Sequence, residues 1–417
     1  MIEEVKIQEK KLADYRKLMP ENLKLELKRL AEKLKGKKIV HINTTSREGG
    51  GGVAEILHGI VPLMRDLGIN ASWYTIEPPL KFFEITNKIH NGLQGKGKKL
   101  TKAEKDYYLA QSKKLSKHVE KLGAHVYFIH DPQPLALTYF SKKIDPSILR
   151  IHIDISNPLQ DTWKFLLPYV SDHEKVIVSI HEFINKDLPK KKVVVFPPAI
   201  DPLDAKNMPM KKEYARMILE NMGINPSKPV IAQVSRLDPF KDPIGVIKAF
   251  YIAKKTVPNL QLILLAQNLA DDNPYSKKIF EEVKKHTKGD PDIHLFYDPK
   301  KMEYENDIIV NAVQIASDII IQKSTKEGFG LTVTEAMWKG SAVIAGRVGG
   351  IKIQIRDGYN GYLVSTINHC ASKIVELIKD KKLRHTFGRH AKKSVTENFL
   401  LPRLLRDHLK TANEVLK

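Results

Sequence analysis

Apolar runs of strand length alternate with longer amphipathic stretches twice along this chain, first from residue 37 and again from residue 229. Such alternation marks βαβ units, whose parallel strands are covered on both faces by the intervening helices. In the first series the strand-length runs are 38–42, 71–75, 125–129, 149–153, 175–179 and 193–196, with helices over 53–67 and 102–122. In the second they are 230–234, 261–266, 293–296, 318–321 and 342–345, with helices over 383–397 and 401–416 closing the chain. Between the two series, Pro197-Pro198 and Asp201-Pro202 interrupt the pattern. Proline donates no ladder hydrogen bond and cannot continue a helix interior, so a boundary is expected there.

The predicted fold class is α/β. A helical extension over 1–36 leads into a Rossmann-like domain over 37–200, a polar interdomain crossing over 201–228 and a second Rossmann-like domain over 229–385. Helices over 386–417 are expected to pack back toward the first domain. A length of 417 residues suits two cores better than one. Open parallel sheets place ligands at the carboxyl ends of their strands, so two facing sheets predict a cleft lined by both.

Three strand-end motifs carry chemistry. Glu48-Gly49-Gly50-Gly51-Gly52-Val53 follows the first strand and precedes a helix. Four glycines let a backbone approach a ligand closely, and the helix start aims free N–H groups at it, whereas a tight turn needs only one glycine. The G-x-G-x-x-G spacing and the ribose-binding acid of a nicotinamide site are both missing, which argues against an oxidoreductase. Arg236-Leu237-Asp238-Pro239-Phe240-Lys241-Asp242 follows the first strand of the second series. Its two cations can reach one diphosphate and stabilise the charge on a departing nucleotide; a salt-bridged surface loop is the plain alternative. The third motif runs Lys326-Glu327-Gly328-Phe329-Gly330-Leu331-Thr332-Val333-Thr334-Glu335. A helix starting near Leu331 offers N–H groups to a phosphate. Glu335, about one turn inside it, can accept ribose hydroxyls or merely offset the helix dipole, and Glu327 can face a sugar.

Two further segments end strands of the first series, His130-Asp131-Pro132-Gln133-Pro134 and Arg150-Ile151-His152-Ile153-Asp154. His130 and His152 each read as ligand contacts or as satisfied core residues, and Asp131 before proline can simply start a turn. Trp73 and Trp338 sit in predicted elements and read as core, while Trp163 is either core or a border of an acceptor site.

Glu327 and Glu335, with seven residues between them, together with Arg236 and Lys241, resemble the retaining GT-B glycosyltransferases of family 4. The resemblance runs from residue 37 to the C-terminal helices, and it implies two Rossmann-like domains facing across a deep cleft. It assigns Arg236 and Lys241 to the donor diphosphate, Glu335 to the ribose and Glu327 to the donor sugar, with Gly328, Phe329, Gly330, Leu331 and Thr332 lining the donor. Gly50 and Gly51 would line the acceptor, with Gly51 also touching the donor. The His130 and His152 segments are similar to those of the trehalose-forming branch, which holds glycosyltransferring synthases and retaining phosphorylases. That similarity gives Asp131 to the acceptor hydroxyls, with His130 and His152 beside it in the acceptor site, and gives His152 to the donor glucose as well. Glu327, Arg236, Lys241, Asp131 and His152 are then the catalytic candidates. The implied reaction joins glucose from an NDP-glucose (ADP- or UDP-glucose) to a glucose acceptor, forming α,α-trehalose reversibly. A retaining phosphorylase using glucose 1-phosphate, or another family 4 glycosyltransferase, is the neighbouring alternative. Gly349-Gly350-Ile351-Lys352-Ile353 departs from the family, many of whose members carry a glutamate at the Ile353 position.

The formal net charge of +21 suits an anionic sugar nucleotide, but the lysines are dispersed among acids and lack interleaved aromatics, so no nucleic-acid partner is expected. A non-enzymatic nucleic-acid-binding protein would rest on charge alone. No Asp-x-Asp motif ends a strand and Asp271-Asp272 falls in a polar loop, so no protein-bound metal is predicted, although an ion such as Mg2+ can accompany the nucleotide. No apolar run reaches the roughly 20 residues that span a bilayer, and the first residues lack the apolar core of a signal peptide. With Cys370 as the single cysteine, a reducing, cytoplasmic setting without a membrane partner is expected. Abundant Lys and Glu lean toward a thermophilic source. The oligomeric state is left open, with a homodimer among the candidates.

Overall fold

A computed structural model describes residues 1–46, 52–266, 274–297 and 304–416. By their internal contacts these residues form two units, Met1–Pro198 with Leu401–Lys417, and Ala199–Leu400.

The first unit holds β1 (Ile2–Glu4), β2 (Lys38–Asn43), β3 (Asn70–Ile76), β4 (Val126–His130), β5 (Ser147–Arg150), β6 (Lys175–Val178) and β7 (Val193–Val195). They form one sheet in the order β1-β3-β2-β4-β5-β6-β7. Every pairing is parallel except that of β1, which runs antiparallel along β3 with Ile2 opposite Ile76. The expected helical extension is thus corrected. Residues 2–4 cover the open edge of β3, Leu12–Leu18 is a 3-10 turn, and only Glu21–Lys33 is α-helical. Capping an edge strand in this way occupies backbone groups that would otherwise pair with another chain.

The second unit holds β8 (Val230–Ser235), β9 (Gln261–Ala266), β10 (Ile293–Phe296), β11 (Ile319–Gln322), β12 (Ala342–Gly346) and β13 (Tyr362–Val364). All are parallel, in the order β10-β9-β8-β11-β12-β13. Residues 201–228, read from sequence as a crossing, fall inside this unit, which begins at Ala199. They carry a helix, Lys212–Asn221, whose Ala215, Ile218 and Leu219 are buried. Among the C-terminal helices, Lys381–Asn398 lies in the second unit and Leu401–Val415 in the first. In the latter, Leu401, Leu404, Leu405, Leu409 and Ala412 are buried, a single stripe at helical spacing. Leu401 packs so closely on Gly59 that an added Cβ there would meet its methyl at 2.8 Å.

Each strand order has one point where the chain reverses its direction of growth. In the second sheet it falls between β8 and β11, and in the first between β2 and β4. Beyond the carboxyl ends of such neighbours the connections part and leave a crevice, which is where open α/β sheets bind ligands. Arg236 follows β8, Glu327 follows β11, and Asp131 follows β4. Among the described residues, no helix is long and apolar enough to cross a membrane.

Candidate active site

In the second unit the β8 loop is a tight device. Asp238 accepts from Phe240 N–H at 2.8 Å and closes a one-turn 3-10 helix, Pro239–Lys241. Asp242 then takes a left-handed conformation (φ 50°) and caps the helix Pro243–Lys254, accepting from Gly245 N–H at 3.1 Å. Lys323 forms an ion pair with Asp242, and Thr325 N–H donates to the Phe240 carbonyl at 2.8 Å, so the loops after β8 and β11 are tied together. These ties set the position of Lys241, whose ammonium pairs with Glu327. Ser324 Oγ donates to the same Glu327 oxygen at 3.3 Å. The two side chains are 16% and 11% exposed, so the pair is largely shielded from bulk water. Arg236 differs from Lys241. It is exposed, and its guanidinium has no partner among the described residues.

Glycine holds the Glu327 loop in place. Gly349 (φ 46°) lies so near it that an added Cβ would stand 1.7 Å from the Glu327 carbonyl oxygen. Gly330 (φ 88°) starts the helix Leu331–Trp338 with no side-chain cap, leaving Leu331 and Thr332 half-buried at its N-terminus. Gly328 is half-buried beside them, and Phe329 is buried. Gln354 Nε2 donates to the Phe329 carbonyl at 2.6 Å and fixes the turn from below. Ile353, one residue earlier, is 46% exposed.

Glu335 is placed less openly than the sequence suggests. It is 2% exposed, and its Oε1 lies 2.9 Å from Lys206 Nζ. Burial opposes its charge, but Lys206 and then Lys339 outweigh that and hold its pKa below the ordinary carboxylate value.

In the first unit, Asp131 sits at the end of β4 with φ 65°. Its Oδ1 accepts the His152 backbone N–H at 2.9 Å, and Oδ2 has no partner among the described residues. Burial pushes its pKa up to about 6, against the pull of that hydrogen bond and of Arg150. His152 is half-buried. His130 corrects the sequence reading. It is 1% exposed and both ring nitrogens meet other histidines, His41 and His152, at 3.1 Å, so it supports the site and touches no acceptor. Trp163 is likewise core, 1% exposed with its indole N–H donating to Asp187 at 2.8 Å. Trp73 and Trp338 are buried. Gly50, Gly51 and the Asp271-Asp272 pair lie outside the described residues. Among the described residues, no cluster of His, Cys, Asp and Glu is arranged to hold a metal ion.

Residues 41–185 match the family model described as trehalose synthase, N-terminal domain, and residues 217–394 match that of glycosyl transferases group 1. A trehalose synthase from Pyrococcus horikoshii is 40% identical over 407 residues, covering 97% of each chain. The chain belongs to the trehalose synthase family of glycosyltransferases. It is a hexosyltransferase, and its chemistry is trehalose-related glycosyl transfer. A trehalose phosphorylase from Grifola frondosa is also related, at 28% identity over 92% of this chain and 58% of its own length. A UDP-forming α,α-trehalose-phosphate synthase structure from Burkholderia xenovorans superposes with a TM-score of 0.70 at 13% identity, over 91% of this chain and 100% of that one. That likeness shows the shared GT-B fold.

Three residues of this trehalose synthase family member escape a sequence reading: His41, Lys206 and Lys323. Each is a polar residue whose partner lies far along the chain, with His41 and His130 separated by 89 positions. His41 alone left a signal, as a polar interruption inside an apolar strand.

Proposed function

We propose that the chain transfers glucose from a nucleoside diphosphate glucose, ADP- or UDP-glucose, to free glucose, forming α,α-trehalose reversibly. The observation that carries this reading is in the second unit. Arg236, exposed and without a partner among the described residues, shares the loop after β8 with Lys241, whose shielded partner Glu327 follows β11, at the reversal point of the sheet. A diphosphate supplies the anion that Arg236 lacks, and it competes with Glu327 for Lys241. The helix start at Leu331 and Thr332 adds N–H groups to the same charge. Glu327, relieved of part of its pairing, faces the sugar.

The donor carbon keeps its configuration. The acceptor hydroxyl attacks C1 on the face from which the diphosphate departs. The C1–O bond to phosphate breaks, the new C1–O bond forms, and the hydroxyl proton passes to the departing phosphate oxygen. Arg236 and Lys241 stabilise the charge that grows there, and Glu327 the positive charge on the sugar ring. On the family resemblance, Glu335 takes the ribose, Asp131 the acceptor hydroxyls and His152 the donor glucose. No protein-bound metal is needed for these steps, and a divalent ion can accompany the nucleotide.

The test is a product assay with glucose and a panel of ADP-, UDP- and GDP-glucose, run beside glucose 1-phosphate. Trehalose from a nucleotide donor supports the reading. Trehalose from glucose 1-phosphate alone, with phosphate released, would make the chain a phosphorylase, the activity named in its more distant relative.

A further inference from the structure

Three histidines of the first unit form one continuous chain of imidazoles. His41 Nδ1 lies 3.1 Å from His130 Nε2, and His130 Nδ1 lies 3.1 Å from His152 Nε2. The sheet builds this staircase. His41 on β2 is in register with Phe128 on β4, and His130 stands two residues further along β4. His130 is in turn in register with Arg150 on β5, and His152 stands two residues beyond that. Residues two apart share a face of a strand, so each step crosses one strand and climbs one pleat toward the carboxyl edge.

The two ends of the chain differ. At the inner end, His41 is fully buried and stacks on Phe128 with ring centroids 4.7 Å apart, and its Nε2 has no partner among the described residues. At the outer end, His152 is partly open and its Nδ1 has no partner among the described residues. Burial holds all three rings neutral: His41 falls to about 3, and His130 and His152 fall well below the ordinary value. Arg150, on the same face, further opposes an extra proton on either of the last two.

A neutral imidazole has one N–H and one bare nitrogen. When three such rings meet at two N···N contacts, the tautomer of one dictates the other two, and all N–H bonds point the same way along the chain. In the outward sense, His41 donates to His130, His130 donates to His152, and His152 keeps an N–H at Nδ1. The inward sense strands an N–H at His41 Nε2 inside the core. Orphaned buried N–H groups are rarer and costlier than orphaned acceptors. The neighbouring His408 sharpens the choice. Its Nδ1 donates to the Leu404 carbonyl at 2.9 Å, which leaves its buried Nε2 bare. An N–H on His41 would have that acceptor nearby, with ring centroids 6.2 Å apart, yet the two nitrogens make no bond.

We propose that His41 and His130 are positioning residues that lock His152 as the Nδ1–H tautomer, so that it presents a hydrogen-bond donor to a sugar hydroxyl. The proposal rests on the assignment of His152 to the donor glucose made above. It gives a task to two buried histidines that touch no ligand, and it denies His152 Nδ1 a role as a base.

Long-range 1H–15N correlation spectra of the full chain labelled with 15N-histidine read the tautomer directly, with the His152 signals identified by their loss in His152→Gln. The expected result is a protonated Nδ1 and a bare Nε2 on His152 in the unmodified protein. His130→Phe, which keeps ring volume while breaking both contacts, should give a mixture of tautomers. It should also lower kcat/KM for the donor about tenfold, the weight of one hydrogen bond. His41→Phe, which preserves the stack on Phe128, is the second variant and should loosen the tautomer in the same direction. A proton on Nε2 of His152 in the unmodified protein, or a tautomer unmoved in both variants, overturns the relay. Unchanged donor kcat/KM in His152→Gln overturns the sugar-contact reading instead, and takes with it only the functional half of the proposal.

Discussion

Replacing Lys206 with methionine removes the nearest cation from a carboxylate that is 2% exposed. In the native protein the Lys206 side chain is 13% exposed and its Nζ lies 2.9 Å from Glu335 Oε1. Breaking a buried pair by deleting one partner costs about 3–5 kcal/mol when nothing compensates. Here Lys339 still bears on Glu335, and Lys206 approaches from the surface, so a loss of about 2–3 kcal/mol is expected. For a unit the size of Ala199–Leu400, each kcal/mol moves Tm by roughly 2–4 °C, which predicts a fall of about 4–12 °C. Scanning calorimetry at pH 7 measures it. The sign of the pH dependence follows from the depressed pKa of Glu335. Its contribution is present above the ordinary value of 4.5 and is lost as pH falls through the lower folded value. The gap between native protein and variant should therefore narrow in acid. A change under about 1 °C at pH 7, or a gap indifferent to pH, would refute the view that Lys206 keeps Glu335 charged.

Glu327→Gln keeps the shape and the Ser324 contact but loses the ion pair with Lys241, and it should lower kcat by about a hundredfold or more. Near-normal steady-state turnover would remove Glu327 from the reaction. Asp131→Asn keeps an oxygen for the His152 N–H and a residue type that tolerates a positive φ. Because burial raises the Asp131 pKa from 3.8 to about 6, its ionisation weakens the fold as pH rises through that window. The variant should therefore gain Tm over the native protein at pH 8 and not at pH 4, while losing activity; an equal Tm difference at both would contradict the buried-charge account. Cys370 is fully buried and its thiol is pushed up to about 12 by that burial. A thiol reagent at pH 8 should label it at the rate of unfolding, and fast stoichiometric labelling of the native protein would contradict the burial.

The parallel strands are legible in the sequence because burial on both faces makes them uniform apolar runs, as in Val230–Ser235 and Gln261–Ala266. Tyr362–Val364 and Ile2–Glu4 escape because, at three residues, they also lack the unbroken β-branched run that marks Val193–Val195. The helix Lys212–Asn221 hides because its apolar stripe amounts to Ala215, Ile218 and Leu219 amid charges, so a polar stretch reads as a linker. In the site, Arg236, Lys241 and Glu327 are legible as residue types at strand ends. The pairing that keeps buried Glu335 charged is not, because it comes from Lys206, which is 129 positions away by number and on no motif. The acceptor role read for His130 fails for a similar reason. Its surroundings are set by the register of β2, β4 and β5, and register is a non-local property.

Calorimetric titration of UDP and ADP into the native protein and Arg236→Ala tests the placement of the donor diphosphate most directly. Arg236 is exposed and pairs with nothing among the described residues, so its loss should leave Tm unchanged and any effect belongs to the ligand. The account predicts that nucleotide affinity falls at least about tenfold, the weight of one charge-assisted hydrogen bond. Affinity equal to that of the native protein for both nucleotides would contradict it.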